Sequence, residues 1–498
     1  MFERLGAPLV LALLLAVSRP VLLDAEPSPT APPADAPPAP PADRDAKSAP
    51  PAPAPPPTDE SRPKINGEIR ARYYLVHNLY DRNNKNNDDL NLGTEMVRLR
   101  AEEAVDDDLK VRFGVFQVHT VGLGSQSVIA FPPVKDETDR DVEIDRAHLE
   151  WKPAAAPGLT VTLGRQDIVI GNGFLVGDGV RLQDLANLVG YIENNRQDFD
   201  ALRVDWTPPG WAVTGFASRV PDSEGVRSVR DLFLYGLDVE HPLDGGHRPA
   251  VSLIFSRDER PRQDLLGKVV TVPIGPAAVP FPLDDFNART FAASVRSKGP
   301  ITPPLGYSVE AVREIGTSPS GANDSPLSAD TTALRAWGTD ARLLCFLEPG
   351  RKDFLRLRHV FLSGDEPGGA NTQFDPILEN QILGVLLNAQ TNIQAWDLGA
   401  TFASLDDWQF HADLWHFRFD EAYTGVLPFG LSRSARLDAG HELDLVVSRQ
   451  WSPRWRTELL AVAFQPGDGW KRDNKNPTGI FTSNDLVWGL RMTVTFSF

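Results

Sequence analysis

An arginine side chain grips a carboxylate through a rigid planar fork, whereas a lysine ammonium acts as a point charge. The 498-residue chain favours the first kind: of its 50 basic residues, 11 are lysine and the other 39 arginine. Many occupy alternate positions in segments whose intervening residues are apolar, as Arg356 and Arg358 do around Leu357. Arg70, Arg72, Arg98, Arg100, Arg112, Arg146, Arg203, Arg296, Arg342 and Arg491 share that phase. So do the acids Glu68, Glu102, Glu150, Asp205, Asp238, Glu240, Glu310, Asp340, Asp397, Asp413, Glu442 and Asp444. On a strand this phase collects all of them on one face. Two readings follow. The charges pair across a lumen as a solvated lattice, or a local cluster of unpaired arginines surrounds a constriction and favours anions. Phase fixes neither height nor pairing, so both remain open at this point.

Catalytic signatures are absent. The chain holds no G-x-S-x-G elbow, no H-E-x-x-H, no Walker loop and no EF-hand ligand ladder, and the expectation is a protein that is not an enzyme and needs no cofactor. Its nine histidines are scattered, and its single cysteine, Cys345, allows neither an intramolecular disulfide nor a cysteine metal cluster. Asp107-Asp108 reads as a solvated turn, and the Asn/Asp-rich stretch 83–91 lacks EF-hand spacing, so no metal is expected. A net charge of −17 argues against nucleic acid as a partner.

The last stretch, Asp485 to Phe498, indicates what positions the charges. Leu486, Trp488, Leu490, Met492, Val494, Phe496 and Phe498 alternate with smaller or polar residues, giving a strand with one apolar face and a terminal aromatic. Seventeen further segments read as strands, and most of them alternate in the same way. The candidate strands are 65–77, 94–104, 109–118, 142–152, 158–166, 198–207, 211–219, 231–241, 249–257, 289–298, 304–315, 333–347, 353–363, 394–404, 408–419, 441–451, 454–465 and 485–498. Connections after even strands are short and often carry Pro or Gly; those after odd strands are long and polar. That segregation by parity, with no apolar run of 18 residues beyond the N-terminus, predicts an all-β, up-and-down transmembrane barrel of about 18 antiparallel strands in the outer membrane. The polar face is then the lumen.

Residues 1–25 read as a secretory signal: Arg4, an apolar core from Leu5 to Val17, and small residues at Ala16, Ser18 and Ala25. Residues 26–63 form a Pro/Ala-rich arm that cannot bury a core and is expected to be disordered, a spacer or a periplasmic tether to the cell wall or a secretion partner. The barrel occupies 64–498.

Particular motifs resemble the alginate export porin family. They are Gly164-Arg165-Gln166-Asp167 with the Gly-rich run behind it, Arg196-Gln-Asp-Phe199-Asp200-Ala-Leu-Arg203, Ser363-Gly364-Asp365 followed by Thr372-Gln-Phe374, and Gly440-His-Glu442-Leu-Asp444 followed by Phe464-Gln-Pro-Gly467. The resemblance implies an eighteen-stranded barrel that passes an anionic polysaccharide outward. By position it marks Arg165, Arg196, Asp200, Arg203 and Asp365 as substrate residues, beside Arg203, Arg356, Arg358 and Arg491 from the phase. Alternatives are a general porin for small anions or organic acids, and a structural or adhesive barrel.

Overall fold

The computed structural model describes residues 63–78, 90–121, 142–177, 199–220, 232–258, 270–274, 277–281, 288–319, 331–348, 352–364, 370–374, 377, 383–387, 391–405, 407–421, 437–470 and 485–498. The signal segment, the arm up to residue 62, the 83–89 stretch, Arg196 and Asp365 lie outside the described residues.

Eighteen antiparallel strands close into a barrel. They are β1 (Lys64–His77), β2 (Leu90–Ala104), β3 (Leu109–Val121), β4 (Glu143–Trp151), β5 (Leu159–Gln166), β6 (Phe199–Trp206), β7 (Ala212–Val220), β8 (Leu232–Glu240), β9 (Arg248–Asp258), β10 (Ala288–Thr302), β11 (Leu305–Pro319), β12 (Trp337–Phe346), β13 (Phe354–Leu362), β14 (Ile393–Leu405), β15 (Trp408–Phe419), β16 (Asp438–Ser452), β17 (Trp455–Pro466) and β18 (Val487–Ser497). Each matches an expected strand to within a few residues. The twelfth differs most: a four-residue strand, Thr331–Leu334, precedes β12 across a break at Arg335 and Ala336. A short hairpin, Val270–Ile274 with Ala277–Phe281, interrupts the connection from β9 to β10, where none was expected.

Loop length follows parity because the chain re-enters the sheet at alternate ends. On the side of both termini the turns are as short as 303–304 and 453–454, whereas 167–198 and 363–392 bridge strands at the other end. The short turns carry their own hydrogen bonds. Asp106 Oδ1 accepts the Asp108 N–H at 2.9 Å and the Leu109 N–H at 2.7 Å, and this accounts for the acidic run after β2.

Burial is inverted relative to a water-soluble barrel. Leu163, Leu202, Leu398 and Met492 face outward and are exposed, while their neighbours Arg203, Asp397 and Arg491 face inward. Exposed aromatics mark both ends of the outer wall. Trp151, Trp206, Trp408, Trp451 and Trp455 lie near the turns, and Tyr73, Trp337 and Trp396 near the loops. Two such girdles flanking an apolar band are what a bilayer-spanning barrel requires.

β1 pairs with β18 from Glu68–Ser497 to His77–Trp488, which leaves no open edge. Phe498 extends the seam, exchanging backbone hydrogen bonds with Gly67 at 2.9 and 3.0 Å. Its ring lies over Gly67, where any Cβ would collide with it. Phe496 faces outward and packs at a tilt against Trp455, with ring centroids 4.7 Å apart. Deleting Thr495 to Phe498 removes the pairing of Glu68, Ile69 and Arg70 and leaves unpaired backbone groups at the lipid, costing several kcal/mol each. We expect the deletion to cut the yield of heat-modifiable, folded barrel sharply; undiminished yield would refute this role of the seam.

Candidate functional site

Apolar and charged side chains share the barrel interior, often as direct register partners such as Leu460 with Arg491 and Trp415 with Asp397. Many inward positions in the loop-side half are apolar: Tyr74 and Val76 on β1, Leu232 and Leu234 on β8, Val360 and Leu362 on β13, Trp415, Phe417 and Phe419 on β15, and Leu460, Val462 and Phe464 on β17. Two loop segments fold inward and cover them. From β5, residues 167–177 bring Ile168, Ile170, Phe174, Leu175 and Val176 into the core; from β13, the following segment brings Phe374, Leu383 and Val385. Phe174 and Phe374 stack with centroids 5.5 Å apart, so the two segments meet inside the barrel.

The inserted segments are also tied across the lumen by polar contacts. Gly171 rests against the Arg296 side chain of β10. Asn172 Nδ2 donates to Ser308 Oγ of β11 at 3.1 Å. The backbone N–H groups of Leu386 and Leu387 donate to the buried Glu442 carboxylate of β16 at 2.7 and 3.0 Å. The sequence reading treated the whole inward face as a polar lumen. Nothing in the alternation of one strand shows that a distant loop will cover its upper half.

Much of the remaining inward face is charged. Arg203 is gripped by its own-strand neighbour Asp205, with Nε to Oδ2 at 2.8 Å. Arg358 holds Asp340 through two bonds of 3.0 Å, and Arg342 reaches the same carboxylate. Arg356 donates to Asp397 at 2.8 Å and to Asp413 at 2.7 Å. It crosses β14 at Gly399, where a side chain would obstruct the bridge. Arg296 takes both oxygens of Asp238, at 2.6 and 2.7 Å. Arg491 is fully buried and donates to Glu458 at 2.8 Å. Arg203, Arg356, Arg358 and Arg491 therefore belong to the paired lattice.

A larger knot gathers where β2, β3 and β4 meet. A bulge between Gly114 and Val115 shifts the register so that Asp145 and Arg146, adjacent in sequence, both turn inward. Asp145 is fully buried, with Arg100 Nε at 2.7 Å and Arg98 Nε and Arg146 Nε each at 3.5 Å. Arg146 also reaches Asp167 of the inserted loop at 2.6 Å. Strict alternation assigned Arg98, Arg100 and Arg146 correctly but missed Asp145, because the bulge reverses the phase beyond it.

Charge is unevenly spread around the ring. The contiguous arc β18–β1–β2–β3–β4 presents Arg491, Arg70, Arg72, Arg98, Arg100, Arg112 and Arg146 inward against Glu68, Glu102, Glu143, Asp145 and Glu150. The arc β14–β15–β16 presents Asp397, Asp413, Glu442 and Asp444.

Arg165 and Asp200 lie elsewhere. They are register partners on β5 and β6 and share the face of Leu163 and Leu202, which is the outer wall. There they form a two-pronged pair, Nε to Oδ1 at 2.9 Å and Nη2 to Oδ2 at 3.3 Å. The expectation that they line the lumen with Arg203 is corrected by that parity: Arg165 is two residues from outward Leu163, and Asp200 two from outward Leu202.

Comparison with known proteins agrees with the architecture. A search of curated proteins finds no match to the chain. Among solved structures, a BenF-like porin from Pseudomonas fluorescens Pf-5 is similar at 10% identity and a TM-score of 0.52, covering 87% of this chain and 98% of that one. OccAB2 of Acinetobacter baumannii is similar at 8% identity and a TM-score of 0.51, covering 88% and 98%. At that identity the likeness is one of fold. Residues 62–478 match the family model described as alginate export, and with that span the chain belongs to the alginate export family.

Proposed function

We propose that the protein is an outer-membrane channel that carries an anionic, alginate-like polysaccharide outward along the arginine-rich arc β18–β4. The observation that carries this reading is the run of seven inward arginines along that arc, of which Arg100 and Arg112 keep 31% and 30% of their side chains open to the lumen. A passing carboxylate meets several moderate sites rather than one strong one, and can therefore leave as readily as it enters. Family membership supports the polymer; the girdles and the loop parity support the membrane.

The charge that matters is the charge in contact with lumen water. Arg100 and Arg112 are the more accessible members of the arc, with side chains 31% and 30% exposed. Each unit charge contributes about 1 kcal/mol at 4 Å in water, roughly fivefold in local carboxylate concentration. Arg100→Gln with Arg112→Gln is expected to lower anion-over-cation permeability several-fold in reversal-potential recordings, while Arg98 and Arg146 keep Asp145 paired. An assembled double variant with unchanged selectivity would remove this arc from the transport path.

A second reading, a porin for small anions or organic acids, is favoured by the inserted segments that narrow the lumen. Uronate oligomers separate the two. Transient, length-dependent block of the current by the oligomers supports polymer passage, and block by monomers alone supports the small-solute porin. A barrel that does not conduct at all would instead point to a structural or adhesive role. The Pro/Ala-rich arm is proposed as a periplasmic tether; deleting 26–62 tests it through retention of cell-wall or secretion partners.

A further inference from the structure

The outer wall of the barrel carries a polar constellation on the face opposite the lumen. His416 on β15 and His441 on β16 are register partners, both face outward, and their rings stack with centroids 4.6 Å apart. Asp438 begins β16 at the same rim. By strict alternation Asp438 would point into the lumen with Gly440 and Glu442. It does not, because a bulge sets Phe417 against Gly440 and Arg418 against Asp438, turning Ala439 and Gly440 inward together and Asp438 outward.

The bulge is built rather than incidental. Gly440 has a φ of +121°, and a Cβ there would collide with the carbonyl oxygen of Gln465. Trp470 Nε1 donates to the Ala439 carbonyl at 2.8 Å, and the Gly469 N–H donates to the Asp438 carbonyl at 2.8 Å. Asp438 Oδ1 accepts the Gly440 N–H at 3.1 Å, which fixes the direction of the carboxylate. Trp396, the other register partner of His416, flanks it from β14 on the same outer face.

The ligand atoms of His416, Asp438 and His441 all lie within 4.8 Å of one another, and among the described residues no other three His, Cys, Asp or Glu side chains converge in this way. In a tetrahedral site with metal–ligand bonds of about 2.1 Å, ligand atoms stand about 3.4 Å apart, a contraction that small rotamer shifts supply on an exposed surface. Two imidazoles with one carboxylate suit Zn²⁺ and its first-row neighbours rather than Ca²⁺ or Mg²⁺, which prefer oxygen donors.

We propose that His416, His441 and Asp438 form a binding site for a divalent first-row transition ion, typified by Zn²⁺, on the outer rim of the barrel. Three protein ligands leave a coordination position open to water. The ion ties β15 to β16 at the rim where the connection 420–437 departs. The proposal is independent of what passes through the lumen.

The test uses the full-length barrel without a polyhistidine tag, folded in detergent, stripped with EDTA and titrated with Zn²⁺ by calorimetry. Close to one ion per barrel is expected. His441→Ala and Asp438→Asn, both at exposed positions, are checked for heat-modifiable migration. Loss of an orienting neighbour alone costs metal sites about 10- to 100-fold in affinity, so removing the His441 ligand is expected to weaken binding by about 100-fold or more. Co²⁺ in place of Zn²⁺ is expected to give visible absorption bands that disappear in His441→Ala. Absence of binding, or equal binding by the folded His441→Ala variant, would overturn the site and mark any bound metal as an adventitious ion only.

Discussion

Arg356→Ala is expected to destabilise the folded barrel by about 3–5 kcal/mol, because it breaks a buried ion pair from one side only. Arg356 is the cation shared by Asp397, whose side chain has no exposed surface, and Asp413. Without it the two carboxylates face each other across Gly399, with His411 beside Asp413 at 2.7 Å. The loss should appear as a lower urea midpoint for conversion of the compact to the extended gel form. A second substitution provides the control. Arg356→Ala with Asp397→Asn removes one of the stranded charges and should recover part of the loss, so that the double variant unfolds above the single one. A single variant within about 1 kcal/mol of the parent would show that the lattice is hydrated well enough to behave like surface ion pairs. The same reasoning applies to converting Arg203, Arg356 and Arg358 together to Glu. That change sets glutamates against Asp205, Asp340, Asp397 and Asp413, and its effect would fall on folding before it fell on selectivity.

Strand number, facing and sidedness were legible in the sequence because lipid enforces them. An outward residue has no partner to hide behind, so Leu355, Leu357, Leu398 and Met492 must be apolar, and their neighbours fall on the lumen by default. Three things were not legible, each for a physical reason. Bulges reverse phase without changing composition, which concealed both Asp145 and Asp438. Ion-pair partners depend on register and height, so Arg356 could be assigned to the lumen but not to Asp413, two strands away. Arg165 and Asp200 were assigned to the lumen from a motif resemblance, although their own strands place them outside. The inserted cover also leaves a trace in the sequence. Trp415, Phe417 and Phe419, and likewise Leu460, Val462 and Phe464, occupy inward positions that a water-filled lumen gives no reason to be apolar. Such residues require an apolar cover, and V-I-G-N-G-F-L-V, Val169 to Val176, is long and apolar enough to supply it.

Removing that cover is expected to have the largest effect on conduction. Ile168, Ile170, Phe174, Leu175, Val176, Phe374, Leu383 and Val385 are all buried against the wall. At about 1.5–3 kcal/mol per buried side chain, their transfer out of water contributes at most about 12–24 kcal/mol. A motion that lifted all of them away at once would be too rare to serve transport, so the inserted segments are a standing part of the pore rather than a lid that swings clear. We expect solute to pass beside them, and the width there to set the conductance. Replacing residues 370–387 with a short Gly/Ser turn removes Phe374, Leu383, Val385 and the anchor on Glu442, and is expected to raise single-channel conductance several-fold. Phe174→Ala with Phe374→Ala removes only the stacked pair where the two segments meet. It should raise conductance less and cost about 3–5 kcal/mol per ring if the space stays empty. The order of the three proteins, excision above double alanine above parent, is the decisive outcome, because it requires the contact between the two segments to be the narrow point. Equal conductance in all three, from barrels that migrate as folded, would place the narrow point elsewhere and leave the inserted segments a structural core. On the proposed polymer-export function, the excised barrel is also expected to lose the length-dependent block by uronate oligomers; undiminished block would count against a role for these segments in guiding a polymer.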